Sequence, residues 1–173
     1  MKNFLLLFSL SVFIFTACNE KKEAQKVSIK EIKTEVNLLL NNWHKAAAEA
    51  NYENYFNSLA NTSIYIGTDA SENWTKKEFS NFCKPYFNKG KAWDFKPLER
   101  NIYTSNNKEI VWFDELLNTW MGTCRGSGVL EKNKNNEWKI KHYVLSVEIP
   151  NNDIKKVIDI KKVQDSLFLS KFK

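Results

Sequence analysis

Apolar residues recur at three- and four-residue steps through Ile29, Ile32, Val36, Leu40, Trp43 and Ala47, the spacing of a helix that buries one stripe. That pattern predicts a long amphipathic helix over residues 28–50, opened by Ser28 with Glu31 three positions on as a capping box. Residues 51–59 read as a second, short helix starting at an Asn cap, and 62–66 as a β-branched and aromatic strand ending at Gly67. A polar loop over 68–74 leads to Thr75, whose pairing with Glu78 predicts a third helix over 76–88, closed by Gly90. Phe79, Phe82, Cys83, Tyr86 and Phe87 share one side of that helix, and Pro85 is expected to kink or shorten it. Alternating patterns then predict strands over 92–103, 109–117, 120–131 and 137–148, stopped by Pro150. A helical tail over 152–163 and an apolar-basic end over 167–172 follow.

Helix, helix, strand, helix and then a run of long strands is an α+β order, with helices gathered on one face of a curved antiparallel sheet. A two-residue turn at Asn118-Thr119 would set Asp114 opposite Thr123 and Trp112 opposite Arg125. A turn at Lys134-Asn135 would set Ser127 opposite His142. One sheet face then carries Trp112, Asp114, Arg125, Ser127, His142 and Ser146, together with Trp138 and Ile140, and the other carries Phe113, Glu115, Lys139, Lys141, Tyr143 and Leu145. Because the first face has no lysine, it is expected to be the concave, helix-covered side.

On that face Asp114 and Arg125 would be diagonal neighbours. They form either a ligand anchor with a carboxylate base, or an ion pair that satisfies itself, which ties up the carboxylate. Asp114 and His142 are the residues of a type that could move a proton; a lone histidine on a mixed strand face is more often a hydrogen-bonded wall residue. His44, next to Trp43, is expected at the surface or rim. Asp69 and Glu72, beside Trp74, sit where a pocket mouth would be, or serve turn and helix-cap chemistry.

Composition bounds the function classes. Hydrophobic residues make up 43% of the 173 and aromatics 14%, enough for a single well-packed domain. The formal charge is +6, but the lysines are scattered rather than clustered, which argues against nucleic acid as a partner. No metal-ligand spacing and no cofactor signature is present, so neither a metal nor a cofactor is expected. Lys2 followed by an apolar run over 4–15, too short to span a bilayer as a mature helix, predicts a signal peptide over 1–17. Its end, Phe15-Thr16-Ala17-Cys18, resembles a bacterial lipoprotein box. The resemblance implies that Cys18 carries acyl chains such as palmitate and becomes the N-terminus. A tether over 18–27 would then hold the domain to a membrane of the bacterial cell envelope, in the periplasm or at the cell surface. Cys83 and Cys124 are left as either a bridge or two buried thiols.

Several segments together resemble the nuclear transport factor 2-like superfamily, and within it the SnoaL-like branch. They are Trp43-His44 on the first helix, Ile66-Gly67-Thr68-Asp69 before Trp74, Lys89-Gly90-Lys91-Ala92-Trp93, Trp112-Phe113-Asp114-Glu115, Arg125-Gly126-Ser127-Gly128, and Trp138 through Ile149-Pro150-Asn151. The resemblance implies a cone-shaped α+β barrel over 28–152, three N-terminal helices packed on a strongly curved antiparallel sheet, with 153–173 as a C-terminal helical tail. It also implies a cavity between helices and sheet, to which Trp43, Tyr52, Trp74 and Tyr86 contribute beside Trp112, Asp114, Arg125, Ser127 and His142. Relatives of this fold often dimerise through the outer sheet face, where Phe113, Tyr143 and Leu145 would be the contacts. The superfamily holds both enzymes and non-catalytic modules. Without an acid/base pair in the open, the residues favour a lipid-anchored module that binds a small hydrophobic or aromatic ligand. An isomerase, cyclase or hydratase acting on a small organic substrate is the alternative.

Overall fold

The computed structural model describes residues 27–173; residues 1–17, expected to be a signal peptide, and Cys18 lie outside the described residues. Four α-helices (α1, Ile29–Ala48; α2, Tyr52–Asn57; α3, Lys76–Asn88; α4, Ile154–Leu169) accompany six strands (β1, Leu59–Ile66; β2, Asn73–Thr75; β3, Lys96–Thr104; β4, Ile110–Thr119; β5, Gly122–Lys132; β6, Trp138–Val147). The strands form one sheet in the order β2-β1-β6-β5-β4-β3. Every pairing is antiparallel except β1 with β6, whose long connection through β2, α3 and β3–β5 lets them run parallel. The α+β arrangement, helices on one face of a mostly antiparallel sheet, is the one the resemblance implied.

Local chemistry starts the helices where the sequence places them. Ser28 Oγ accepts from Glu31 N (3.1 Å) while Glu31 Oε2 accepts from Ser28 N (2.7 Å). Thr75 and Glu78 repeat that reciprocal pair at α3, and Asn51 Oδ1 accepts from Asn54 N at α2. The α3 helix runs on to Asn88 with Pro85 inside it. Pro85 falls in the last turn and leaves one carbonyl of the preceding turn without its helical donor, yet the helix is not shortened.

Ile32, Val36, Leu40, Trp43 and Ala47 bury the α1 stripe against the sheet, and Phe79, Cys83 and Phe87 bury that of α3. From the sheet, Phe113, Leu117, Leu130, Ile140, Tyr143 and Leu145 face them. Cys83 and Cys124 are both buried free thiols, and burial pushes the Cys83 thiol well above its ordinary range. The α4 helix carries no buried residue, and among the described residues no helix is long and apolar enough to cross a membrane.

The concave side of the sheet is therefore the opposite of the one expected. Lys139 and Lys141 do look outward, but β6 carries an extra residue at Lys141. Leu130 pairs with Ile140 while Val129 pairs with His142. A bulge of this kind places two successive residues, Lys141 and His142, on the same side and reverses the alternation beyond it. Trp138 and Ile140 thus face inward together with Tyr143 and Leu145, and His142, Val144 and Ser146 face outward.

The β4–β5 turn is displaced as well. Pairing continues to Thr119 opposite Gly122, so Asp114 meets Ser127 and Trp112 meets Val129. The chain reverses at Trp120-Met121, where Thr119 Oγ1 accepts from Met121 N (3.0 Å) and donates to Gly122 O (2.9 Å). Gly122 there has φ +87°, a conformation other residues adopt only with strain. An even shift leaves the face of each residue unchanged, so the bulge alone caused the inversion. β3 starts at Lys96 rather than Ala92 because its first partner is Asn118; beyond Thr119 the neighbouring strand has turned away, and residues 91–95 have nothing to pair with.

Candidate functional site: an aromatic cavity beside a sealed ionic cluster

A cavity of about 340 Å³ opens between β1, α3, the 91–95 segment and the β4–β5 turn. Tyr65 of β1 and Phe79 of α3 stack at 3.8 Å between ring centroids, with Leu145 of β6 joining them in the lining. Trp74 extends the stack, 5.6 Å from Phe79 and 4.7 Å from Phe82. The β1–β2 pairing sets Trp74 directly beside Tyr65, while Phe79, Phe82 and Tyr86 reach the cavity from one face of α3 at helical spacing. Gly90 (φ +78°) ends α3 and releases the unpaired segment that brings Trp93 and Phe95 to the far wall. Trp120 and Met121 at the β4–β5 turn complete the rim, and Trp120 remains 80% exposed. A tryptophan held open to water beside a cavity is an unmet apolar surface of the kind ligands cover.

A second constellation lies outside that lining. Glu115 of β4 is fully buried and accepts four hydrogen bonds. His44 Nε2 donates to Oε1 at 2.8 Å and Tyr143 Oη to the same oxygen at 3.1 Å. Arg100 donates to Oε2 through both Nε (2.9 Å) and Nη2 (2.7 Å). Arg100 Nη1 in turn reaches Asn41 Oδ1 (2.8 Å) and Asn37 Oδ1 (3.2 Å) on α1. Burial acts to raise the Glu115 pKa, but the His44 hydrogen bond and charge, with Arg100, outweigh it and hold the carboxyl below the usual glutamate range. Burial, and then the Glu115 charge, push the Tyr143 phenol well above its ordinary value, so it stays a neutral donor. Gly126 makes this approach feasible, because a Cβ there would collide with the Tyr143 hydroxyl.

The residues expected to line a cavity divide. Trp74 and Tyr86 do line it. Trp43 is in the core, stacked 5.1 Å from Tyr55, with its buried Nε1 lacking a partner. Tyr52 is half-buried and donates to Ser80 O (3.2 Å). Trp112, Asp114, Arg125, Ser127 and His142 all lie on the outer face, away from the helices, because of the Lys141 bulge. Arg125 does pair with Asp114 at 3.5 Å, and with Glu148 at 2.9 Å, but its side chain is 48% exposed and that of Asp114 31%, so the pairing is a surface one of small energetic weight. Trp112 stacks on Tyr103 in the open. His44, expected at the rim, is buried; Phe113, Tyr143 and Leu145, expected as outer-face dimer contacts, are core residues. Asp69 accepts from Ser71 within its turn, which lowers its pKa, whereas Glu72 lines the cavity.

The ionic cluster left a trace in the sequence that pair-by-pair inspection overlooks. Glu115 falls between Phe113 and Leu117 in the β4 alternation, Arg100 shares the parity of Ile102 in β3, and His44 sits four residues after Leu40 on the α1 stripe. Three charged or titratable residues at apolar positions on different elements mark a buried network.

Residues 36–150 match the SnoaL-like domain family. The chain belongs to that family. No functionally curated protein matches it. Solved structures similar to this SnoaL-like chain include a nuclear transport factor 2-like protein of unknown function from Pseudomonas putida KT2440 (9% identity, TM-score 0.60, covering 70% of this chain and 90% of that one). A candidate ketosteroid isomerase from Shewanella frigidimarina is similar at 18% identity and a TM-score of 0.54, over 65% of this chain and 94% of the other. A candidate dehydratase of the same superfamily from Streptomyces avermitilis gives 9% identity and a TM-score of 0.60, over 71% and 100%. At such identities the likeness establishes the fold of this SnoaL-like domain and leaves its activity to its own residues.

Proposed function

We propose that this SnoaL-like domain binds a small apolar or aromatic ligand in the cavity without transforming it, and that lipid on Cys18 holds it at a bacterial envelope membrane. One observation carries the binding reading. The cavity is walled by aromatic rings, and the carboxylate best surrounded for acid/base work, Glu115, is sealed outside it by His44, Arg100 and Tyr143. Proton transfer at carbon needs a group that touches the substrate and can change its charge. Asp114 and His142 sit on the other face of the sheet, and Glu115 is held ionised by partners it cannot leave without breaking the interior. Glu72, the one carboxylate among the described lining residues, has no imidazole or second carboxylate beside it in the lining to complete an acid/base pair.

A thermal-shift screen of small aromatic and apolar metabolites on the chain beginning at Asn19 tests the binding reading. A ligand at about 100 times its Kd stabilises by ~2.7 kcal/mol, a shift of several degrees in Tm. That shift should largely vanish in Trp120→Ala, whose exposed side chain can be removed without loss of core packing, and should persist in Asp114→Asn and His142→Ala. Stabilisation that survives Trp120→Ala and Trp93→Ala together would place the ligand elsewhere. Membrane attachment rests on the Ala17-Cys18 boundary at the end of an apolar run. Cys18→Ser in the full chain should move the protein from the membrane fraction to the soluble one; unchanged partitioning after carbonate washing would remove the anchor.

A further inference from the structure

The charge in the cavity is the reverse of the charge on the chain. Lys and Arg number 26 against 20 Asp and Glu, yet among the described residues that line the cavity the one charged side chain is a carboxylate, Glu72. Its place is built by the β1–β2 loop. Gly67 N donates to Glu72 O (2.9 Å) and Glu72 N to Asp69 O (2.9 Å), closing the loop. Asp69 N donates to Glu72 Oε2 (3.1 Å), which fixes the carboxylate and leaves Oε1 for a ligand. Gly67 provides the space, since a Cβ at that position would collide with the Glu72 carboxylate. Lys171 acts on Asp69, which is exposed and not part of the lining.

The same cavity is lined by the rings of Trp93 and Trp120, by Trp74, which stacks on Phe82, and by Tyr65, which stacks on Phe79. Aromatic faces attract cations through their quadrupole, tryptophan most strongly, and a carboxylate beside them adds a direct Coulomb partner. An anionic ligand would meet the same carboxylate with no cation in the lining to hold it. Resting on the cavity as the binding site, we infer that the ligand is an organic cation: a protonated or quaternary amine carried on a flat apolar body. The body stacks on the tryptophans and the nitrogen lies toward Glu72 at the mouth.

Three ligands that share an indole ring and differ in charge test this: tryptamine (cationic), tryptophol (neutral) and indole-3-acetate (anionic), titrated calorimetrically at low salt. Tryptamine should bind about tenfold more tightly than tryptophol, with indole-3-acetate weakest, and the preference should shrink as salt is raised. Glu72→Gln should bring tryptamine and tryptophol within about twofold of each other by weakening tryptamine. Equal or tighter binding of tryptophol or indole-3-acetate by the native protein, with that binding weakened by Trp120→Ala, overturns the cation and leaves the cavity standing. Binding that ignores Trp120→Ala, or no binding by any of the three, overturns both.

Discussion

Glu115→Gln should lower the unfolding free energy by about 3–5 kcal/mol, the range for breaking one member out of a buried ion pair. Gln keeps the size and one acceptor oxygen but removes the charge, leaving Arg100 buried among Asn37 and Asn41 with no anion. The loss is large because the desolvation of Arg100 is then no longer offset, whereas in the native protein both Arg100 contacts and the His44 and Tyr143 hydrogen bonds converge on one group. Urea unfolding of the native and variant proteins at neutral pH measures it, and a loss under 1 kcal/mol would mean that the cluster is dispensable.

The same group fixes a pH dependence. Its pKa is lower in the folded protein than the ordinary value of 4.5, so the unfolded chain takes up the proton first as acid is added. The Glu115 contribution is whole above about pH 4.5 and is lost as pH falls through the lower folded value. The Gln variant lacks that component, so native and variant stabilities should converge on acidification.

Gly126→Ala is the second large effect, expected to cost about 1–3 kcal/mol by overpacking. The added methyl would collide with the Tyr143 hydroxyl and crowd Glu115 Cγ at 3.1 Å. Tyr143 is fully buried, and its ring lies 4.8 Å from Trp43 and 5.5 Å from Tyr65, so it has little freedom to withdraw. Tyr143→Phe removes the closest colliding atom but keeps the ring carbon Cζ, which the new methyl meets at 2.8 Å. In the Gly126→Ala background it should therefore recover part of the lost stability, although in the native background it removes a hydrogen bond to Glu115 and destabilises. A double-mutant cycle that gave additive effects would show that strain at this position goes elsewhere.

What the sequence made legible was local. The capping pairs Ser28–Glu31 and Thr75–Glu78 mark two helix starts because both partners lie within one turn, whereas Trp74 and Tyr86 are placed at the cavity only by the family resemblance, which places Trp43 and Tyr52 there too although neither lines it. The side of the sheet on which Asp114, Arg125 and His142 lie was not legible, because it hangs on one uncompensated residue. Strict alternation carried back from Lys139 and Lys141 assigns His142 inward, and only the pairing of Ile140 with Leu130 and His142 with Val129 reveals that Lys141 is extra. The turn was missed for a similar reason. Asn118-Thr119 has the polarity of a turn, but Gly122 has the backbone freedom for one, and the reversal falls at Trp120-Met121 beside it. Glu115 was hidden by its neighbour Asp114: two adjacent carboxylates, one facing out and one in, look alike until the partners of each are known.

The carboxylates of Glu115 and Glu72 differ most in what surrounds them. Glu115 ties α1, β3, β4 and β6 to a single point, so any motion that opens one of these elements must break a shared set of charged contacts. Glu72, in contrast, sits on a loop held by its own backbone, across from a turn whose tryptophan stands in water. The protein is therefore stiff where it carries its buried charge and more open to change at the mouth of its cavity. Substitutions around the mouth can change what the cavity accepts while the fold continues to be secured from behind its wall.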